Sequence, residues 1–292
     1  MSKNQNLYER ARNYYVGGVH AANRYHSCLG APLYLDHAKG SRLYDVDERE
    51  YLDFHTSAGA ALFGYGHPRL MEAAKKALEC GGVMNFETEA HIELAALMQN
   101  WIPCAERIRL GNTGTEVTQA AIRLARGYTG RDICIRMEGH FHGMHELIWY
   151  NHNNQADMSA DGEIATLPDT AGVPSCFQSV VKNVEFNDYE ALERICEKYS
   201  GNVACIIMEP ISFNCGCYPA QKTYLEKVRA LCDRENIVLI FDEVICGLRF
   251  RPGTAQGYYG VTPDLATFAK AIGGTFPLAA LCGKEKIMNC LA

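Results

Sequence analysis

Ile237-Val238-Leu239-Ile240-Phe241-Asp242-Glu243-Val244 runs five apolar residues together and then turns abruptly acidic. A short run of this kind, rich in β-branched and aromatic residues, reads as a strand buried on both faces. An ionised carboxylate at the edge of such a strand is expensive unless a cation or several donors meet it, which singles out Asp242. The plain alternative is a helix-capping or salt-bridged aspartate.

Segments of the same type lie on either side. They are RIRLGNTG (107–114), DICIRME (132–138), VACIIMEP (203–210) and DLATFAK (264–270). Helical spacing fills gaps between them. TEVTQAAIRLARGY puts Val117, Ala121, Leu124 and Tyr128 on one face, and KTYLEKVRALCDREN (222–236) joins two strands. Strands alternating with helices predict an α/β fold, a mostly parallel central sheet covered by helices on both faces. Ligands in such sheets gather at the carboxyl ends of the strands. Nearer the N-terminus, LYDVDEREYLDF (43–54) reads as two short strands around a charged turn. HPRLMEAAKKALECGG (67–82) reads as a helix ending on Gly81 and Gly82.

Three strand-end features carry chemistry. Thr113-Gly114-Thr115 follows a strand and opens a helix, where free N–H groups and the helix dipole favour an anion such as phosphate. The alternative has Thr115 as a helix cap and Gly114 as a turn residue. Asp242 closes its strand, with Glu209 of Met-Glu-Pro in the same layer as a supporting hydrogen-bonding residue. Lys270 closes DLATFAK beside Gly273 and Gly274. Burial and a neighbouring cation would lower its pKa and make the amine a nucleophile; the alternative is a solvated lysine. Together an anion site, a buried carboxylate and a nucleophilic lysine suit pyridoxal phosphate. The helix would take the phosphate, the carboxylate would protonate the ring nitrogen, and the lysine would form the Schiff base.

With 292 residues, 48% of them apolar and 21% charged, the chain has the composition of an ordinary globular protein. A net charge of −6 argues against nucleic-acid partners, and no apolar stretch is long enough to span a membrane. Thirteen cysteines without a CxxC pair, several inside apolar runs (Cys134, Cys205), point to free thiols in the cytoplasm.

The chain resembles the class III aminotransferases of fold type I, most closely the glutamate-1-semialdehyde aminomutase branch. The resemblance runs from about Val16 to the end. It is carried in order by YDVDEREYLDF, GYGHP, NTGTEVTQAAIRLARGYTGR, EGHFHG, the strand-end MEP, FDEV and ATFAKAIGG. It implies that Gly114 and Thr115 hold the phosphate and that Phe141 stacks on the pyridine ring. It further implies that Asp242 pairs with the ring nitrogen, Val244 packs on the opposite face, and Lys270 is the Schiff-base lysine and proton carrier. Phe141 stands where tyrosine is common. His142 is expected to hydrogen-bond near the ring; His140, His142 and His145 are not read as a metal site.

Arg24 matches an arginine that binds the substrate carboxylate in the aminomutase branch, with a surface arginine as the alternative. Ala58 stands where that branch has a pocket tryptophan, which suggests a different and bulkier substrate. Residues 151–174 are expected to form a loop over the active site. The domain organisation implied is 1–64 as part of a small domain, 65–280 as the cofactor-binding domain, and 281–292 as the start of a return to the small domain. On this resemblance, the family's Gly-Thr segment and C-terminal domain are expected to be missing from these 292 residues. The expected activity is amino-group transfer on an amino acid or related amine, by a transaminase or aminomutase working as a homodimer on small-molecule amino donors and acceptors. A racemase or epimerase on the same scaffold stays open, as does a silent fragment that only binds cofactor or dimerises.

Overall fold

The computed structural model describes residues 1–21, 24–81, 86–152, 156–250 and 253–291. Gly82, expected in a helix cap, lies outside them. The chain divides into two compact units, Met1–Phe86 and Glu87–Ala292.

The larger unit is built on a seven-stranded sheet. Its strands are β1 (Arg107–Gly111), β2 (Ile133–Met137), β3 (Val181–Val184), β4 (Val203–Met208), β5 (Val238–Asp242), β6 (Leu265–Phe268) and β7 (Ala279–Gly283). They lie in the order β1-β7-β6-β5-β4-β2-β3. β3, β2, β4, β5 and β6 are parallel to one another, while β7 runs antiparallel to both β6 and β1. The mostly parallel α/β sheet expected from the sequence is present. β3 and β7 escape the sequence reading because VKNV is short and half polar, and AALCG holds small residues of weak strand preference. Residues 281–291 finish β7 and form the short helical turns after it.

Helices cover both faces. Those that matter here are α1 (Glu89–Trp101), α2 (Gly114–Thr129), α3 (Tyr189–Lys198) and α4 (Lys222–Glu235). Side-chain alternation in β5 shows why the strand reads as one apolar run. Leu239 and Phe241 pack with Leu192, Leu225 and Val228 of α3 and α4, while Val238 and Ile240 pack with Ala121, Ile122 and Ala125 of α2. Val117, Ala121 and Leu124 are buried as the helical spacing predicts, but Tyr128 is 40% exposed because α2 emerges from the sheet at its C-terminal turn.

The smaller unit carries an antiparallel three-stranded sheet of Leu35–Lys39, Arg42–Asp45 and Glu50–Leu52. The last two are the strands read from the sequence. Asp45 shapes their turn by accepting from the N–H groups of Asp47 and Arg49 and from the Tyr51 hydroxyl. The helix Pro68–Glu79 follows with proline in its first turn, the position that needs no amide donor. Before it, Thr56, Ser57 and Ala58 take three consecutive left-handed conformations, φ +48°, +52° and +54°.

Candidate active site

β4, β5 and β6 end side by side, and the residues at or just past their ends face one cavity of about 310 Å³. Every larger-unit residue singled out in the sequence lines it: Thr113, Gly114, Thr115, Phe141, His142, Glu209, Asp242, Val244 and Lys270. A volume of this size is at the small end of ordinary ligand pockets.

One end of the cavity is the N-terminus of α2. Its cap is Thr113, not the Thr115 of the alternative reading. Thr113 Oγ1 accepts from Glu116 N–H (3.2 Å), and the Glu116 carboxylate accepts from Thr113 N–H (3.3 Å) and Asn112 N–H (2.7 Å). Helical geometry leaves the next amides, of Gly114 and Thr115, without an intrahelical acceptor. A Cβ on Gly114 would lie 3.2 and 3.3 Å from the Val244 methyls, so glycine lets the helix start approach that side chain.

Asp242 is 3% exposed and takes three hydrogen bonds. Oδ1 accepts from Val244 N–H (3.0 Å) and Thr267 Oγ1 (3.1 Å), and Oδ2 meets His142 Nδ1 at 2.7 Å. With the carboxylate accepting, the proton sits on Nδ1, and His142 Nε2 is a buried nitrogen without a partner. Glu209 Oε1 accepts from Phe141 N–H (3.0 Å) and Asn214 Nδ2 (2.8 Å), while its Oε2 is buried and unpartnered. Burial raises the Glu209 pKa above the usual carboxylate value, with the Asp242 charge adding to it.

Lys270 stands two residues past β6 at φ +51°, opening a short 3-10 turn. Its amine makes no ion pair with a described residue. Burial lowers its pKa; the Asp242 and Glu209 carboxylates oppose that shift and the Arg249 guanidinium adds to it. A desolvated lysine with a lowered pKa presents more free amine near neutral pH, which is what attack on a carbonyl needs.

The three histidines do separate jobs. His140 Nδ1 accepts from Glu209 N–H (3.0 Å), His142 meets Asp242, and His145 Nε2 lies 3.4 Å from Thr118 Oγ1. Burial depresses the His140 pKa well below the imidazole value and that of His145 to about 4.

Arg24 is exposed and belongs to the smaller unit, whereas the cavity is built from the larger one. The 151–174 segment departs from expectation. None of its described residues lines the cavity. It is tied to the sheet edge by Ile164 N–H on Asn183 O (2.9 Å), and to α3 by Lys198 on Asp161 (2.7 Å) and Glu163 (2.8 Å). Residues 153–155 of that segment lie outside the described residues.

Several partners of the site are missing from the sequence reading. Thr267 pairs across strands with Asp242, and a lone hydroxyl in the apolar DLATFAK is the signal that could have found it. Thr118 Oγ1 donates to His142 O (2.6 Å). Gly143, at φ +105°, approaches Thr115 so closely that a Cβ would lie 2.8 Å from its Oγ1 and 2.9 Å from its Cα. Asn214 reaches Glu209 from a hairpin loop that no periodicity marks.

Comparison with known proteins adds relatives of one kind. The family model for class III aminotransferases matches residues 23–292. A glutamate-1-semialdehyde 2,1-aminomutase from Salinibacter ruber is 43% identical over 289 residues, covering 98% of this chain and 64% of that protein. An omega-transaminase from Sphaerobacter thermophilus superposes with a TM-score of 0.94 at 34% identity, over 98% of this chain and 65% of the other. A transaminase solved with PLP bound gives a TM-score of 0.91 at 27% identity over the same shares. The chain thus spans just under two thirds of the length of these relatives.

Proposed function

Since the chain belongs to the class III aminotransferase family, we propose that it takes part in pyridoxal 5′-phosphate-dependent amino-group transfer on an amino acid or related amine, as a transaminase or aminomutase. The observation that carries this reading is the meeting of Lys270, Asp242 and the α2 N-terminus in one cavity.

The residues present fit such a cofactor. The Gly114 and Thr115 amides would hold its phosphate, aided by the Thr115 hydroxyl. Asp242, already ringed by three donors, keeps a fixed carboxylate able to hold a proton on the ring nitrogen. Phe141 and Val244 would bound the ring. The Lys270 amine would bind the aldehyde and carry protons to and from the substrate. Bound there, the cofactor supplies an electron sink for negative charge at the substrate's α-carbon.

The test is borohydride reduction of the purified protein followed by peptide mapping. The pyridoxyl mass is expected on the Lys270 peptide, and its presence on Lys284 or Lys286 instead would sink the assignment. Dependence of turnover on an added amino acceptor separates transaminase from aminomutase.

Further assignments are proposed with it. For the substrate, Ala58 in place of the branch's tryptophan supports an amino acid bulkier than glutamate-1-semialdehyde. A substrate panel led by glutamate-1-semialdehyde would contradict that. Arg24 is proposed to bind the substrate carboxylate, with a raised KM in Arg24→Ala as the check. For assembly, Ile92, Leu97 and Trp101 of α1 are exposed large apolar side chains, which supports a homodimer testable by sedimentation. Thirteen free cysteines support a reducing, cytoplasmic location, checked by fractionation.

A further inference from the structure

Arg136 heads the fully buried side chains of the described residues, at 0% exposure on a strand next to the edge of the parallel sheet. It occupies β2 on the face of Cys134, where strand alternation calls for an apolar residue. Its guanidinium makes no ion pair with a described residue. Its bonds go instead to neutral oxygens. Nη1 donates to Tyr150 O and to Asn183 Oδ1 (3.0 Å), Nη2 donates to His140 O, and Nε is without a partner. The Glu138, Asp169 and Glu209 carboxylates favour its charge from a distance, but burial outweighs them and lowers its pKa. A buried charge with no carboxylate bonded to it opposes folding, so stability alone does not account for it.

The placement of the acceptors is informative. His140 and Tyr150 bracket the loop after β2 that carries Phe141 and His142 into the cavity. Within that loop, Phe141 N–H is held by Glu209 at the end of β4 and His142 O by Thr118 of α2. Three consecutive residues are therefore gripped through their backbones from three different elements. The guanidinium is the grip that spans both ends of the loop. A rigid fork of donors sets the separation of two carbonyls in a way a single ammonium cannot.

We propose that Arg136 is a positioning residue of the cofactor site, whose buried guanidinium ties the His140 and Tyr150 carbonyls together and so fixes where Phe141 and His142 stand. The proposal rests on the cofactor reading above for its function, but its structural content can be read without cofactor.

Arg136→Lys and Arg136→Met are the variants to make. Lysine keeps the charge without the fork. Methionine removes a buried charge that opposes folding, and is the variant to rely on if the lysine form does not fold. Amide hydrogen exchange on the cofactor-free chain should show the 139–145 segment, Phe141 N–H above all, exchanging at least about tenfold faster than wild type. With cofactor bound, the visible circular dichroism should fall. kcat should drop about tenfold or more while KM changes little, since small misplacements in a site are costly to rate. Wild-type exchange and wild-type dichroism in a folded variant would overturn the proposal, even with a lowered Tm, and leave Arg136 as core filling. Accelerated loop exchange alongside a wild type that carries no cofactor on Lys270 would instead overturn the cofactor reading and leave the loop clamp standing.

Discussion

His142 Nδ1 and Asp242 Oδ2 lie 2.7 Å apart between two buried side chains, joining the loop after β2 to the end of β5. The contact reaches across 100 residues of sequence. It settles how the carboxylate is turned: one oxygen is occupied by the imidazole, the other by Val244 N–H and the Thr267 hydroxyl. All three partners can act as neutral donors, so the charge is held in place without being neutralised by a cation bonded to it.

Asp242→Asn keeps the shape and removes that charge. The cofactor is expected to stay bound, because the phosphate grip proposed at α2 is untouched. Exchange of the substrate α-proton should fall by about 10²–10³-fold, the range for loss of one fixed electrostatic partner. Deuterium exchange followed by NMR measures it, and near-normal exchange would remove Asp242 from its proposed role.

His145 should make the fold acid-sensitive. Its pKa of about 4 lies below the ordinary imidazole value, so between these limits the unfolded chain binds more protons than the folded one. Stability therefore falls as pH drops from about 6.5 to 4, with a limiting contribution of about 3 kcal/mol. Glu138 and Glu243 work in the opposite sense. Burial lifts both to about 7, so the folded chain binds the extra protons and stability falls as pH rises from about 4.5 to 7. The pH dependence of the difference between wild type and His145→Gln isolates the histidine. A difference flat across pH 4–6.5 would refute the assignment.

Gly143→Ala tests the packing of the proposed anion site. At φ +105° alanine is strained, and its Cβ would press on both the hydroxyl and the Cα of Thr115. A loss of about 1–3 kcal/mol is expected. Thr115 would be pushed from its place, so affinity for the phosphorylated cofactor should fall at least tenfold while Asp242 contacts persist. Thermal melts and cofactor titration read the two effects separately.

The sheet and the cavity were legible because burial on both faces turns strands into apolar runs, and the residues that break each run at its carboxyl end are those that line the cavity. Asp242, Glu209 and Lys270 announce themselves this way. What escaped has a common cause, dependence on distant partners. Arg136 in ICIRM looks like an ordinary polar break in a strand until His140 and Tyr150 fold back over it. Thr113, not Thr115, caps α2 because Glu116 completes a reciprocal pair three residues on, a spacing present in the sequence but overlooked. β7 escapes because an antiparallel strand of mostly small residues, AALCG, carries little local preference and is specified by the neighbours β1 and β6 on either side.

The left-handed turn at Thr56–Ala58 makes the last prediction. Each non-glycine residue there is disfavoured by about 1–2 kcal/mol, so the turn must be held by something else. Asp53 accepts from His55 N–H (2.8 Å), Thr56 N–H (3.0 Å) and the Tyr65 hydroxyl (2.7 Å), and that hydroxyl lies 3.0 Å from Ser57 Oγ. Ala58 makes no side-chain hydrogen bond, so its methyl carries the strain without contributing to the clamp. Ala58→Gly should therefore stabilise the turn, by up to about 1 kcal/mol after the added freedom of glycine in the unfolded chain is subtracted. Ala60, at φ −78°, is a right-handed control two residues away. Ala60→Gly should destabilise by about 0.5–1 kcal/mol. The readout is exchange of the Ala61 amide, which donates to Thr56 O (3.0 Å) across the turn and slows or quickens with it. Slower exchange in Ala58→Gly with faster exchange in Ala60→Gly is the expected pair; faster exchange in both would mean that the turn in solution is right-handed.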